Sequence, residues 1–205
     1  MGKIKFTKGE LKRQRDALKQ YERYLPTLQL KKQQLQMEIL HQAGILREKR
    51  NNELKKLKDA EVWAGLLVNL ETDINDLIKF TNPSVERKNV AGVDIPVFKQ
   101  LEFRLLEYDL FTVPLWVDAA IEYFKTILSL RAEISIVEKG INILKEELQI
   151  TTQRVNLFEK VKIPQAQEAI RLIKIYIGDQ MTNAVGRSKI AKKKIEEMEY
   201  EEVLV

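Results

Sequence analysis

Ten positions in the second half of the chain fall on an unbroken 3,4 spacing: Ile127, Leu130, Ile134, Val137, Ile141, Leu144, Leu148, Thr151, Val155 and Phe158. Nine are apolar, and Thr151 is the exception. A 3,4 alternation averages about 3.5 residues, so the stripe stays on one face of a slightly underwound helix, and such a face is stable only against a partner helix. The first half of the chain offers that partner. Leu11, Leu18, Tyr21, Leu25, Leu28, Leu35, Ile39 and Leu46 recur at helical spacing, and Leu57, Ala60, Ala64, Leu67, Ile74 and Ile78 continue in a shifted phase. The expected fold is mainly α: a long antiparallel two-helix coiled coil, a helical hairpin rod, with a short β-hairpin segment in its middle.

The expected organisation is one elongated domain over residues 1–205. An N-terminal coiled-coil helix is placed at 7–79, a β and loop segment at 80–112, a C-terminal coiled-coil helix at 113–196 and an acidic tail at 197–205. Thr7 is expected to cap the first helix, with Glu10 at capping-box spacing. Pro26 lies inside the pattern and lacks an amide donor, so a kink or restart is expected there, and Pro164 is expected to kink the second helix. In the middle, Val90, Val93, Ile95, Val97 and Phe98 are β-branched or aromatic, and Leu101, Phe103 and Leu105 alternate with polar residues. These read as two short strands that must pack on helix ends or on a partner. Pro114 suits the first turn of the second helix. Trp63, Phe111, Trp116 and Tyr123 gather near this end, where a larger hub is expected. Gly65 and Gly140 each weaken a helix by about 1 kcal/mol relative to alanine, and both are read either as close backbone approaches or as neutral surface positions.

The chain has 205 residues and no cysteine, which excludes a disulfide framework and cysteine-based zinc or redox sites and fits a reducing compartment. No apolar run is long enough to span a membrane. The opening MGKIKFTKGELKRQRDAL lacks the apolar core of a secretory signal. Net charge is +5, unevenly placed. Residues 1–60 hold 16 Lys and Arg against 7 Asp and Glu, while the remainder holds 19 against 23. A basic arm of this kind meets nucleic acid, anionic lipid or an acidic protein surface, or is simply the solvated face of a coiled coil.

Motifs for chemistry are missing. There is no G-x-x-x-x-G-K-[ST] nucleotide loop and no G-x-S-x-G. His41 is the only histidine, which removes His-pair metal sites and most triads, and it reads as a surface or seam residue. The pairs Asp73 with Asp76 and Glu196 with Glu199 share helix faces without another ligand type beside them. Lys192, Lys193 and Lys194 have a phosphate-contact reading, set against solvated helix-end lysines. The expectation is a protein that is not an enzyme and carries no cofactor or metal.

The run Ile150-Thr151-Thr152-Gln153-Arg154-Val155-Asn156-Leu157-Phe158-Glu159, followed by Ile163-Pro164, resembles the signature of the D subunit of V-type ATPases and ATP synthases, and the middle segment Val90-Ala91-Gly92-Val93-Asp94-Ile95-Pro96 resembles a divergent bacterial branch of it. There a T-x-R-V-N-x-L-E-like run precedes I-P in the C-terminal helix. Thr152, Arg154, Val155, Asn156, Glu159 and Pro164 carry the match. Thr7-Lys8-Gly9-Glu10-Leu11 is similar to the family's T-[RK]-x-x-L opening, and Leu28 to Leu35 to its L-L-K-x-K-x-x-L run. Phe6, Pro26, Leu157 and Phe158 depart from the family pattern. The resemblance implies a central-stalk rotor shaft that transmits torque between a hexamer of A and B catalytic subunits and the membrane ion ring. It implies the stalk's F subunit and a ring-seating stalk component (C/d type) as further partners, with no nucleic acid and no membrane span of its own. The implied location is cytoplasmic and peripheral to the inner (plasma) membrane. By their spacing Leu18, Tyr21, Leu25, Leu28, Leu35 and Ile39 are expected to form the coil seam with the later stripe. Lys12, Arg13, Arg15, Arg187, Lys189, Lys192, Lys193 and Lys194 are candidates for the head interface. A non-enzymatic coiled-coil scaffold or prefoldin-like holdase is the alternative, with a nucleic-acid-binding coiled coil and a membrane-surface helix as further rivals.

Overall fold

The computed structural model describes residues 5–65, 78–105, 114 and 116–203. Leu67, Asp73, Ile74, Asp76 and Phe111 lie outside the described residues. In chain order the elements are α1 (Lys8–Glu61), β1 (Ile78–Phe80), β2 (Ser84–Val90), β3 (Val93–Gln100), β4 (Phe103–Leu105), α2 (Trp116–Leu157), a π-helical turn (Phe158–Lys162) and α3 (Ile163–Val203). They pack as two compact units: residues 30–152, and residues 1–29 with 153–205.

Helix α1 starts where its cap predicts. The Glu10 amide donates to Thr7 Oγ1 at 3.2 Å, satisfying one of the orphan donors of the first turn. The reciprocal half of a capping box is absent at this terminus. Glu10 Oε1 instead accepts from Gln14 Nε2 at 2.7 Å, while the Thr7 amide donates to the Lys5 carbonyl. The helix does not restart at Pro26, which lies inside it and is exposed. The carbonyl four residues earlier loses its donor, and on a solvent-facing side water can replace it. Glu61 ends the helix, and Ile78 and Lys79, expected at the end of the first helical arm, belong to β1.

Unit 30–152 is held by the antiparallel pairing of α1 with α2. Lys31 Nζ meets Glu147 Oε1 at 2.7 Å, Lys49 meets Glu133 at 2.9 Å, Arg131 meets Glu53 at 2.7 Å, and Arg50 pairs with Glu138. From Lys31 to Glu53 along α1 the partner on α2 moves back from Glu147 to Arg131, which fixes the antiparallel sense. Each pair is partly exposed and is worth about 0–1 kcal/mol, so the pairs set register more than stability. Stability comes from burial. Leu35 and Leu144 are both 0% exposed and cluster with Ile95, with Ile39, Leu148, Val90, Ala91 and Val93 packed around them.

Among the described residues the middle segment holds the expected hairpin, β2 with β3, and a second strand pair, β1 with β4. β2 pairs antiparallel with β3 from Ser84↔Gln100 to Val90↔Val93, with an irregularity between Ser84 and Val85, and β1 pairs with β4 from Ile78↔Leu105 to Phe80↔Phe103. The turn Ala91-Gly92 falls inside the run expected as a single strand. β2 is nearly all exposed and polar, so apolar periodicity cannot register it. The β2–β3 hairpin is marginal alone, and Ile95 anchors it in the helix seam. Lys88, opposite Ile95 in the register, reaches Glu38 of α1 at 3.7 Å. The β1–β4 end packs differently: Ile78 joins Val117 and Ile121, with Phe103, Trp116, Phe124 and Leu128 around them. Trp63 stands edge-on to Tyr123 at 5.1 Å and to Phe124 at 6.2 Å. The expected hub therefore forms around Trp63, Trp116 and Tyr123.

Two backbone details of the hairpin give predictions. Ala91 has φ +51° and Gly92 φ +79°, the pattern of a two-residue type I′ turn, and the Gly92 amide donates to Asn89 Oδ1 at 3.1 Å. Alanine pays for its left-handed conformation, and asparagine tolerates it better. Ala91→Asn is expected to stabilise the protein by about 0.5–1 kcal/mol in urea denaturation. Gly140 is buried, and a Cβ built there would sit 3.7 Å from the Pro96 carbonyl oxygen and 3.9 Å from Ile95 Cβ. Those are ordinary contacts, so the approach is close without requiring glycine. Gly140→Ala is expected to gain about 1 kcal/mol from helix propensity. A loss in that experiment would mean that the hairpin sits closer to α2 than described.

Unit 1–29 with 153–205 is a second antiparallel pairing. Tyr21 packs on Phe158 with ring centroids 5.3 Å apart, and Phe6 packs on Tyr176 at 5.1 Å. Val155, Ala166, Ala169, Ile170 and Ile173 are buried here. Instead of a bare proline kink, Pro164 follows a π turn, whose ladder includes the Ile163 amide donating to the Phe158 carbonyl. Helix α3 continues to Val203, through residues expected as an acidic tail.

Candidate assembly surfaces

The seam residues lie as follows. Leu35, Ile127, Ile134, Ile141, Leu144, Thr151 and Val155 are buried. Leu18, Tyr21, Leu25, Leu28, Ile39, Leu130, Val137, Leu148 and Phe158 are half-buried. Ile136, off the stripe, is buried as well. Of the signature residues, Val155 is buried and Thr152 half-buried, while Arg154, Asn156, Glu159 and Pro164 face solvent. The signature thus divides between a packing face and an outward face.

The basic residues are all exposed: Lys12, Arg13 and Arg15 on α1, and Arg187, Lys189, Lys192, Lys193 and Lys194 on α3. Arg13 lies 4.0 Å from Glu10, and Lys192 and Lys193 make i,i+4 pairs with Glu196 and Glu197 at 3.4 and 3.5 Å. Lys12, Arg15, Arg187, Lys189 and Lys194 form no ion pair among the described residues. By contrast Lys31, Lys49 and Arg50, in the same basic arm, are taken up by glutamates of α2. Part of the charge asymmetry between the halves of the chain is therefore internal pairing.

Beyond Ile177 the α3 seam loses its cover. Residues 178–198 are all exposed, and they include Met181, Val185, Ile190, Ile195 and Met198. Met181, Ala184, Ser188, Ala191, Ile195 and Met198 keep the 3,4 spacing of the packed seam. A large apolar surface left in water marks a contact site. Sequence reasoning took the lysines of this helix and passed over the apolar stripe between them, although the same spacing rule reveals it.

Hydrogen bonding from Lys99, aided by its charge, holds the Glu86 carboxyl below its usual range, and Arg171 does the same for Glu168. Both contributions are present at neutral pH and are lost as pH falls through the lowered values; both groups are fully exposed, so the effect on folding is small. Burial, with the charge of Asp59 behind it, pushes the Tyr123 hydroxyl up, and that oxygen has no hydrogen-bond partner among the described residues. No helix among the described residues is long and apolar enough to cross a membrane.

Paired helices, a docked hairpin and an uncovered apolar and basic helix end are the build of a component of a larger assembly. Comparison with known proteins names that assembly. The family model for the D subunit of ATP synthase matches residues 10–193. The V-type ATP synthase D subunit of Borreliella burgdorferi is 46% identical over 193 residues, covering 94% of this chain and 95% of that protein. The proteins of the same name from Chlamydia abortus and Chlamydia muridarum are 33% and 32% identical, over 97% and 95% of this chain and 96% and 97% of their own. The chain belongs to the ATP synthase D-subunit family, whose members are non-catalytic stalk subunits of rotary ATPases.

Proposed function

We propose that this chain is the central-stalk rotor shaft of a V-type ATP synthase. It passes torque between a hexamer of A and B catalytic subunits and the membrane ion ring, in ATP synthesis or ATP-driven ion transport. The observation that carries the reading is the uncovered end of α3, residues 178–198, in a chain matched to the D-subunit family over residues 10–193. Its apolar stripe fits inside an apolar sleeve, and its basic residues fit acidic surfaces of the head. Exposed charges can exchange partners during rotation without desolvation at each step. An asymmetric shaft biases the nucleotide sites through unequal contacts, which is how rotation couples to affinity. Helix α1 and the arm formed by α2 and α3 act together as the shaft. The middle segment, 80–112, faces the stalk's F subunit and a ring-seating component of the C/d type. The working location is cytoplasmic, peripheral to the plasma membrane, with no cofactor and no nucleic-acid partner.

Native mass spectrometry of the chain with its cognate A and B subunits tests this, with ATPase turnover read on the same sample. The expected result is one copy per three A and three B, with altered turnover. No association with folded partners overturns the reading and favours the coiled-coil scaffold.

A further inference from the structure

The packed stripe of the C-terminal half does not keep one phase. Up to Phe158 it steps by three and four residues. The next residues of the seam are Ile163, Ala166, Ile170, Ile173 and Ile177, which again step by three and four. Ala166, Ile170 and Ile173 are buried, and Ile163 and Ile177 are half-buried. The single step that breaks the pattern, from Phe158 to Ile163, is five residues wide, and it coincides with the π turn Phe158–Lys162. A π turn closes its hydrogen bonds over five residues, so it absorbs one extra residue without breaking the helix.

An uninterrupted α-helix would carry the old phase onward. Lys162 and Gln165 would then enter the seam, followed by Ala169, Leu172 and Tyr176. In the described state Lys162 and Gln165 are exposed, while Ala169 is already buried and Tyr176 already stacks on Phe6. The alternative phase is therefore poor beside the turn and apolar farther along. Pro164 stands just past the turn, where it cannot supply the amide a regular helix would need.

We propose that the π turn Phe158–Lys162 is a register pivot: a one-residue insertion about which the helix beyond can change the face it turns to α1. The described register buries Ala166, Ile170 and Ile173 and half-buries Ile163; the second register keeps Ala169 buried, brings in Leu172 and Tyr176 and admits the stems of Lys162 and Gln165, whose polar ends reach solvent. Changing register turns the exposed end of α3, and with it the apolar stripe and the basic residues, by about 100° at 3.6 residues per turn. This last consequence rests on the stalk-shaft reading; the pivot itself does not.

Amide hydrogen exchange on the full chain tests the pivot. Peptides covering Phe158–Ile163 are expected to exchange at least tenfold faster than those covering Leu144–Ile150 or Ile170–Ile177. Deletion of Val161 together with Pro164→Ala makes the stripe continuous and removes the proline, and the excess exchange is expected to vanish in a protein that still folds. Pro164→Ala alone keeps the insertion, and fast exchange is expected to persist. Equal protection across the three windows in the parent chain overturns the proposal. So does loss of the fast exchange in Pro164→Ala alone, which would trace it to the missing donor. In the assembled complex, the deletion variant is expected to bind A and B subunits as the parent does, with turnover reduced at least threefold. Unchanged turnover in a fully assembled complex overturns the pivot. Failure of the parent chain itself to assemble counts against the stalk reading and leaves the exchange test to decide the pivot.

Discussion

Leu144→Ala is expected to lower the unfolding free energy by about 2–5 kcal/mol, the usual range for a leucine emptied from a close-packed core. Leu144 is 0% exposed and meets Leu35 of α1 and Ile95 of β3, so three elements border the cavity. A two-helix seam has little second layer from which to refill such a space. The hairpin adds to the effect, because Ile95 is its buried anchor and Lys88–Glu38 is a partly exposed pair that cannot hold it alone. Urea denaturation of Leu144→Ala, Ile95→Ala and Leu40→Ala makes the comparison. Leu40 is 73% exposed on the same unit, and its replacement is expected to change stability by no more than about 0.5 kcal/mol. A Leu144→Ala loss below about 1 kcal/mol would mean that the helices do not close around the hairpin as described. Loss of hairpin protection in hydrogen exchange at mild urea, before the helices open, is the expected companion result.

What the sequence revealed and what it hid have the same physical origin. The seam from Ile127 to Phe158 was legible because burial on one helix face imposes a period, and every position in it is buried or half-buried. The N-cap at Thr7 was legible because it is local chemistry. β2 was not, since Ser84–Val90 has only Val90 against the core and so carries no apolar alternation. The clue was the pair Ala91-Gly92 after Asn89, a turn signal rather than a strand signal. The fate of Pro26 depended on where it faces. An exposed proline leaves a carbonyl that water can satisfy, whereas Pro164 is accompanied by a π turn in a helix packed on both sides of it. The apolar step of five residues at that turn was present in the sequence, but a period search that stops at the first mismatch ends at Phe158. Charge was the least legible feature. Lys31, Lys49 and Arg50 look no different in sequence from Lys12 or Arg15, and only the pairing of α1 with α2 separates internal partners from outward charges.

That separation carries the second large effect. On the proposed shaft reading, replacing Arg187, Lys189, Lys192, Lys193 and Lys194 together by glutamine is expected to weaken binding to the A and B head by tenfold or more at low salt. Stability of the isolated chain is expected to shift by no more than about 0.5–1 kcal/mol. The stability side follows from exposure: only Lys192 and Lys193 of this set have partners among the described residues, both are nearly 80% exposed, and i,i+4 pairs of this kind contribute about 0.3–0.5 kcal/mol each. The binding side follows from range. Five charges along less than three turns of one helix produce a field that extends about 10 Å at 0.1 M salt, and it steers and holds an acidic partner surface until salt screens it. The difference between parent and variant is therefore expected to shrink at least several-fold between 0.05 and 0.5 M salt. The matching test of the apolar stripe replaces Met181, Ile195 and Met198 by serine, and its loss of affinity is expected to be nearly independent of salt, since removal of apolar surface from water is not a Coulombic effect. If the lysine and arginine replacements leave affinity unchanged at every salt concentration while the serine replacements abolish it, the sleeve grips α3 by apolar contact alone and the basic residues serve only to keep an uncovered helix soluble.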